Sequence, residues 1–140
     1  MDCLFCKIIN GEIPSRTVYE DSLVKVFLDI NPSTNGDMLI VPKKHYENLF
    51  DINDKLLVHI NKVIKELYVL LRDKLGIDGL TLVQNNGFGQ DIKHFHVHVT
   101  PRYTNDNLKT VKNEDILVDI DDVFEQITNR KQGDKNQHCA

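Results

Sequence analysis

Apolar positions recur along the chain in two rhythms, every second residue in several short stretches and every third or fourth in one long stretch. The two-residue rhythm is clearest at His94-Phe95-His96-Val97-His98-Val99, where histidines alternate with an aromatic and two β-branched residues. Strand side chains alternate faces, so residues 94–99 predict a strand with an apolar stripe on one side and three imidazoles on the other, about 7 Å from one to the next. A helix would scatter the same histidines around its circumference. Further strands are expected at 17–19, at 23–30, at 38–41 (a continuous apolar run closed by Pro42) and at 80–85. The turn formers between them, Glu20-Asp21-Ser22 and Asn31 to Asp37, mark loops.

The slower rhythm belongs to Leu56, Ile60, Val63, Leu67, Leu70 or Leu71, and Leu75, and predicts one long helix. Asp51 or Asn53 can cap its start and Gly76 its end. His59 falls at the edge of this stripe and reads as an ordinary, partly exposed histidine. Phe5, Ile8 and Ile9 share a face of a short N-terminal helix that Asn10-Gly11 would stop. Ile116, Leu117, Ile120, Val123, Phe124 and Ile127 predict a last helix, and the polar run 130–140 a disordered tail. The expected architecture is α+β: an antiparallel sheet of about five strands, one long helix and shorter terminal helices, in a single domain over residues 1–129.

Composition narrows the function. The chain of 140 residues is 41% hydrophobic and 27% charged, with a formal net charge of −4 and no basic block, so a nucleic acid polymer is a poor partner. No apolar run approaches the roughly 20 residues that span a membrane, and the first residues lack a secretory pattern, which sets the expected location as cytoplasmic. Three cysteines, an odd number, speak for metal binding or free thiols over a disulfide framework.

Three clusters carry chemistry. Ligands at i, i+2 and i+4 of a strand cannot surround one ion, because the outer pair lies about 13 Å apart. At least one of His94, His96 and His98 is therefore left for acid–base or nucleophilic work. A polar face turned to water is the plainer reading, but such faces are normally Lys, Glu, Thr or Ser. The loop just before, Asn86-Gly87-Phe88-Gly89-Gln90, can bring peptide N–H groups to an anion, with Asn85 and Gln90 as neutral donors. A carboxylate at Asp91 would repel a phosphate there unless protonated, turned away or paired with Lys93. Cys3-x-x-Cys6 has a spacing that clamps one metal ion, and His45 and His94 would complete a closed, structural Cys2His2 zinc site, one per chain. Unligated thiols on a short helix are the alternative; a thioredoxin-like pair lacks its βαβ context. Asp29, at a strand end, can accept bonds from sugar hydroxyls or cap a turn.

Taken together, these residues resemble the histidine triad family, whose signature alternates three histidines with apolar residues. Here it stands as residues 94–100, with Thr100 in the last apolar position, alongside Phe5-Cys6-Lys7-Ile8-Ile9, Glu12-Ile13-Pro14, Asp29-Ile30 and Pro42-Lys43-Lys44-His45. The resemblance runs from Cys3 to about Tyr103. It implies hydrolysis or transfer at the α-phosphate of purine nucleotidyl conjugates, such as nucleoside phosphoramidates. His96 would be the nucleophile that forms a nucleotidyl-histidine, His98 would contact phosphate and assist the leaving group, and His94 would orient the cluster or ligate zinc. Asn85, Gly89, Gln90 and Asp91 would line the phosphate site, Asp29 would bind ribose, and Phe5, Ile8 and Ile30 would sandwich the base. A homodimer through the long helix and sheet edge is implied as well. The Cys-x-x-Cys and Pro-Lys-Lys-His features resemble the Hint-like branch. Ile92-Lys93-His94 and Pro101-Arg102 resemble the dinucleoside polyphosphate hydrolases, so a diadenosine polyphosphate hydrolase is the alternative, and a non-catalytic nucleotide-binding module a third.

Overall fold

A computed structural model of the chain describes residues 2–129. The expected tail, 130–140, lies outside them, as does Cys139. The chain divides into two units, Met1–Asn107 and Leu108–Ala140.

The first unit is built on a five-stranded antiparallel sheet: β1 (Thr17–Glu20), β2 (Val24–Leu28), β3 (Met38–Pro42), β4 (Gly79–Val83) and β5 (Val97–Arg102), in the order β1-β2-β3-β5-β4. The long helix α2 (Asp54–Leu75) is capped by the Asn53 side chain, which accepts from Leu56 N–H at 2.8 Å, and ends at Gly76 in the left-handed conformation. Asp51 instead accepts the Glu47 and Asn48 amides of the preceding loop. The buried stripe of α2, from Leu56 through Ile60, Val63 and Leu67 to Leu71, packs on Val24, Val26, Met38, Ile40, Val97 and Val99 of the sheet. Leu70 stays on the outer side, partly exposed.

Period two then assigns the opposite sheet face. Phe27, Leu39 and Val41 point away from α2 and pack with Cys3, Phe5 and Ile8 of the N-terminal segment. That segment forms α1 (Leu4–Ile9), whose N-cap is the Cys3 thiol, accepting from Cys6 N–H at 3.4 Å. Two apolar clusters thus sandwich the sheet, one under α2 and one under α1. His98 in β5 pairs with Leu39 and so belongs to the α1 face.

Strand limits depart from the expected ones. β5 begins at Val97, so His94, Phe95 and His96 precede it; the Phe95 amide donates to Tyr46 O at 2.7 Å instead of to a strand neighbour. The strand runs on through Pro101 to Arg102. Its pairing with β3 ends at Val99, while Pro101 stays opposite Leu80 of β4 and its carbonyl accepts from the Thr34 hydroxyl at 2.7 Å. β2 is shorter than expected, since Asp29 turns back to accept Asn31 N–H at 2.9 Å and leaves Ile30 exposed.

The second unit holds a 3-10 turn at Glu114–Ile116 and α3 (Ile120–Thr128), capped by Asp119. No helix among the described residues is long and apolar enough to cross a membrane.

Candidate active site and metal centre

The α1 face of the sheet gathers all six of the histidines and cysteines proposed for chemistry in the sequence: Cys3, Cys6, His45, His94, His96 and His98. His94 is fully buried, and its Nε2–H donates to the Pro42 carbonyl at 2.8 Å. That bond puts the Nδ1 lone pair on the other side of the ring, 3.3 Å from Cys3 Sγ, 3.5 Å from Cys6 Sγ and 3.1 Å from His45 Nδ1. Cys6 Sγ lies 3.3 Å from His45 Nδ1, and the four donor atoms all fall within 4.8 Å of one another. A tetrahedral ion about 2.3 Å from sulfur and 2.0–2.1 Å from nitrogen sets its ligands roughly 3.3–3.8 Å apart. The donor set therefore fits a metal ion with no open position. The local electrostatics agree: burial first, then the Cys3 thiol beside it, pushes the Cys6 thiol up to about 11, and burial pushes His94 down to about 4. A bound cation would offset the first cost by stabilising thiolates and would use the neutral imidazole that the second favours.

His96 is 2% exposed, and its Nδ1–H donates to the carbonyl of His94 at 2.7 Å. This leaves Nε2 as the free lone pair of the ring. Burial lowers the His96 pKa, seconded by His98, against the opposing influence of the His94 carbonyl, Asp91 and Asp29. Its ring meets the Phe5 edge at 4.9 Å and the His98 ring at 5.0 Å. His96 and His98 open onto a cavity of about 260 Å³ whose far wall is apolar, with Phe5 and Ile8 from α1 and Phe27 and Leu39 from the sheet. Asp29, Ile30 and Asp91 stand at its rim. A larger hollow of about 730 Å³, between Ser22, Lys44 and the start of α2, contains none of the histidines and lacks a nucleophile with an oriented base.

The phosphate-loop residues are placed less simply. Gly87 and Gly89 take the positive φ values of 74° and 93° that their residue type permits. Gln90, however, is buried and holds the loop together: its Oε1 accepts Gly87 N–H at 3.2 Å and its Nε2 donates to Glu47 O at 2.7 Å. Its backbone N–H is used as well, on Gly87 O. Asn85, Gly89 and Gln90 are not part of the cavity lining, whereas Asp91 is. The Asp91 carboxylate is neither turned away nor paired with Lys93. Its Oδ1 sits 3.5 Å from His96 Nε2, while Lys93 Nζ is on Gly87 O at 3.2 Å.

Sequence reasoning missed Phe27, Leu39 and Ile92 as part of this side of the molecule. The signal was present for the first two, which occupy the strand positions that alternate away from the α2 core and face each other across β2 and β3. His59 is the ordinary, partly exposed histidine expected, and its Nε2 lies 2.7 Å from Asp21 Oδ2, which ties α2 to the β1–β2 turn.

Residues 10–105 match the HIT domain family model. An uncharacterized HIT-like protein of Methanocaldococcus jannaschii is 47% identical over 127 residues, which span 89% of this chain and 98% of that protein. The adenosine 5'-monophosphoramidase of Saccharomyces cerevisiae is 38% identical over 102 residues, 71% of this chain and 62% of the yeast protein. Among solved structures, a Zn-bound histidine triad family protein from Mycobacterium smegmatis superposes with a TM-score of 0.74 at 33% identity, covering 81% of this chain and 84% of that one.

Proposed function

Because the chain belongs to the HIT domain family, we propose that it hydrolyses purine nucleotidyl conjugates, nucleoside phosphoramidates foremost, through a nucleotidyl-histidine. The observation that carries this reading is His96, buried, with Nδ1–H held on the His94 carbonyl and Nε2 directed at the cavity. A neutral imidazole fixed in that tautomer is a nucleophile with its lone pair already aimed. Nε2 attacks the α-phosphorus; the new N–P bond forms as the bond to the leaving amine breaks, and the amine departs with a proton taken from solvent. Water then displaces His96 and releases the nucleoside monophosphate. His98, beside His96 on the same face, contacts the phosphate and eases departure of the leaving group. The purine lies against Phe5 and Ile8, with Ile30 at the rim, and Asp29 meets the ribose. Asn85 and the Gly89 loop border the phosphate end.

Cys3, Cys6, His45 and His94 would hold one structural zinc ion, whose role is to pin α1 to the sheet; similarity to the Zn-bound mycobacterial protein supports the choice of metal. The exposed apolar residues of α2 and of the edge strand β4, such as Val69, Leu82 and Val83, suit a homodimer through these elements. The yeast phosphoramidase supports the substrate class, and a cytoplasmic setting goes with it.

The test is turnover of an adenosine phosphoramidate, with a diadenosine polyphosphate run beside it. His96→Ala is expected to abolish monophosphate release while retaining the native circular dichroism spectrum. Full turnover by that variant rejects the mechanism, and a higher kcat/KM for the diadenosine polyphosphate rejects the substrate class.

A further inference from the structure

Asp91 Oδ1 stands 3.5 Å from His96 Nε2, the distance at which an attacked phosphorus has to stand, since reacting atoms in a bound substrate sit about 3–3.5 Å apart. The carboxylate must therefore retreat as a nucleotide enters. Its side chain is 74% exposed and held locally through the Ile92 amide at 2.9 Å, so rotation about its own Cα–Cβ bond moves it outward without disturbing the core. A retreat along the approach line would leave it on the side of phosphorus opposite Nε2. In an in-line displacement that is where the leaving group departs and where, in the second step, water must enter. An ionised carboxylate has no proton to give a departing group, but it can take one from water. Lys93, the cation nearest in sequence, does not neutralise it, because Nζ is on the Gly87 carbonyl.

Given the nucleotidyl-histidine route above, on which this rests, we infer that Asp91 is a catalytic residue, the general base of the hydrolytic step. As the water oxygen bonds to phosphorus, one water proton passes to the Asp91 carboxylate. The Nε2–P bond breaks, and its electron pair returns to the ring, restoring a neutral imidazole whose Nδ1–H is still on the His94 carbonyl. The exposed Asp91 then releases its proton to solvent. The same residue that would repel a phosphate on entry is thus positioned to speed its release. Asp29, the other carboxylate lining the cavity, is the one assigned above to the ribose.

The experiment is a quenched single-turnover reaction, full-length protein in excess over an adenosine phosphoramidate with a fluorescent amine leaving group. Amine release and the nucleotidyl-protein adduct are followed separately, the adduct by intact mass. Asp91→Asn is expected to form the adduct within a few-fold of the wild-type rate but to lose it about 100-fold more slowly, the lower range of general-base contributions. Asp91→Glu is expected to recover part of that decay. Adduct decay in Asp91→Asn at the wild-type rate, or faster through relief of repulsion, overturns the inference and leaves the covalent route standing. Amine release by Asp91→Asn with no adduct at any time overturns both.

Discussion

Stripping the proposed zinc from the Cys3-Cys6-His45-His94 cluster should loosen the wall against which the base is expected to lie, although none of these four side chains belongs to that wall. The reason lies in how little else holds α1. Ordering its six residues costs about 6–12 kcal/mol of backbone entropy. Burying Phe5 and Ile8 returns about 3–6 kcal/mol, and a few net helical hydrogen bonds about 1 kcal/mol each, so the two sides come close to cancelling. A metal present at a thousandfold its dissociation constant adds about 4 kcal/mol, enough to settle the balance toward the docked helix. Without it, if docked α1 falls to about a tenth of the population, nucleotide affinity weakens about tenfold. The assay pairs hydrogen exchange with calorimetric titration of adenosine monophosphate, before chelation, after it, and after zinc is restored. Amides of residues 4–13 should lose protection and the dissociation constant should rise at least several-fold, while α2 and its sheet face, a separate cluster, keep their protection. Unchanged exchange in α1 together with unchanged affinity, in protein verified to be metal-free, refutes the reasoning.

Other outcomes follow from particular contacts. Burial opposes ionisation of Asp21, but bonds from the Leu23 amide, the Tyr19 hydroxyl, the Val24 amide and His59 outweigh it and hold its pKa at about 2 against an ordinary 3.8. Its stabilising contribution, about 1 kcal/mol once solvent screening is allowed for, is complete above pH 4 and is lost as the pH falls through 2. Asp21→Asn should therefore unfold at lower denaturant at pH 7 and show a shallower acid limb between pH 4 and 2; coincident acid limbs would count against it. Gly36 has a φ of 91°, and an added Cβ would come within 2.7 Å of Leu75 Cδ1 and 3.3 Å of Pro101 Cγ. Gly36→Ala should cost about 1–3 kcal/mol, read as a lowered melting temperature, and an unchanged melting temperature contradicts the strain. Leu82→Lys on the exposed edge strand should shift the mass measured by light scattering from dimer to monomer, and a dimer that persists rules out that edge as the interface.

Where the pattern of apolar residues was dense, the structure was legible in advance. The α2 ladder, its Gly76 stop and the continuous run of β3 are set by neighbours close in sequence, whereas the choice of Asn53 over Asp51 as the cap was left to the structure. The histidine stretch was legible in its alternation and not in its secondary structure. His94 and His96 keep opposite sides from Phe95, yet they lie outside β5, because the Phe95 amide is taken by Tyr46 and the His94 ring by Pro42, each about fifty residues upstream. No local pattern encodes such partners. The metal donors could be paired from type and spacing, since Cys-x-x-Cys leaves few ways to close a tetrahedron. Gln90 shows the opposite case: an amide beside two glycines reads as a ligand donor, and only the carbonyl of Glu47 on a distant loop reveals it as a brace.

His94 serves two neighbours through two different parts of itself. Its ring faces Cys3, Cys6 and His45, while its backbone oxygen holds the Nδ1 proton of His96. A side chain can be exchanged by mutation, but a carbonyl comes with every amino acid. Descendants of this chain could therefore shed the metal centre, ring included, and still keep the neighbouring imidazole aimed, provided the backbone held its path between β3 and β5. The bond that orients the His96 imidazole is hereditary in the main chain, and the proposed clamp on the N-terminal helix is the part that selection is free to replace.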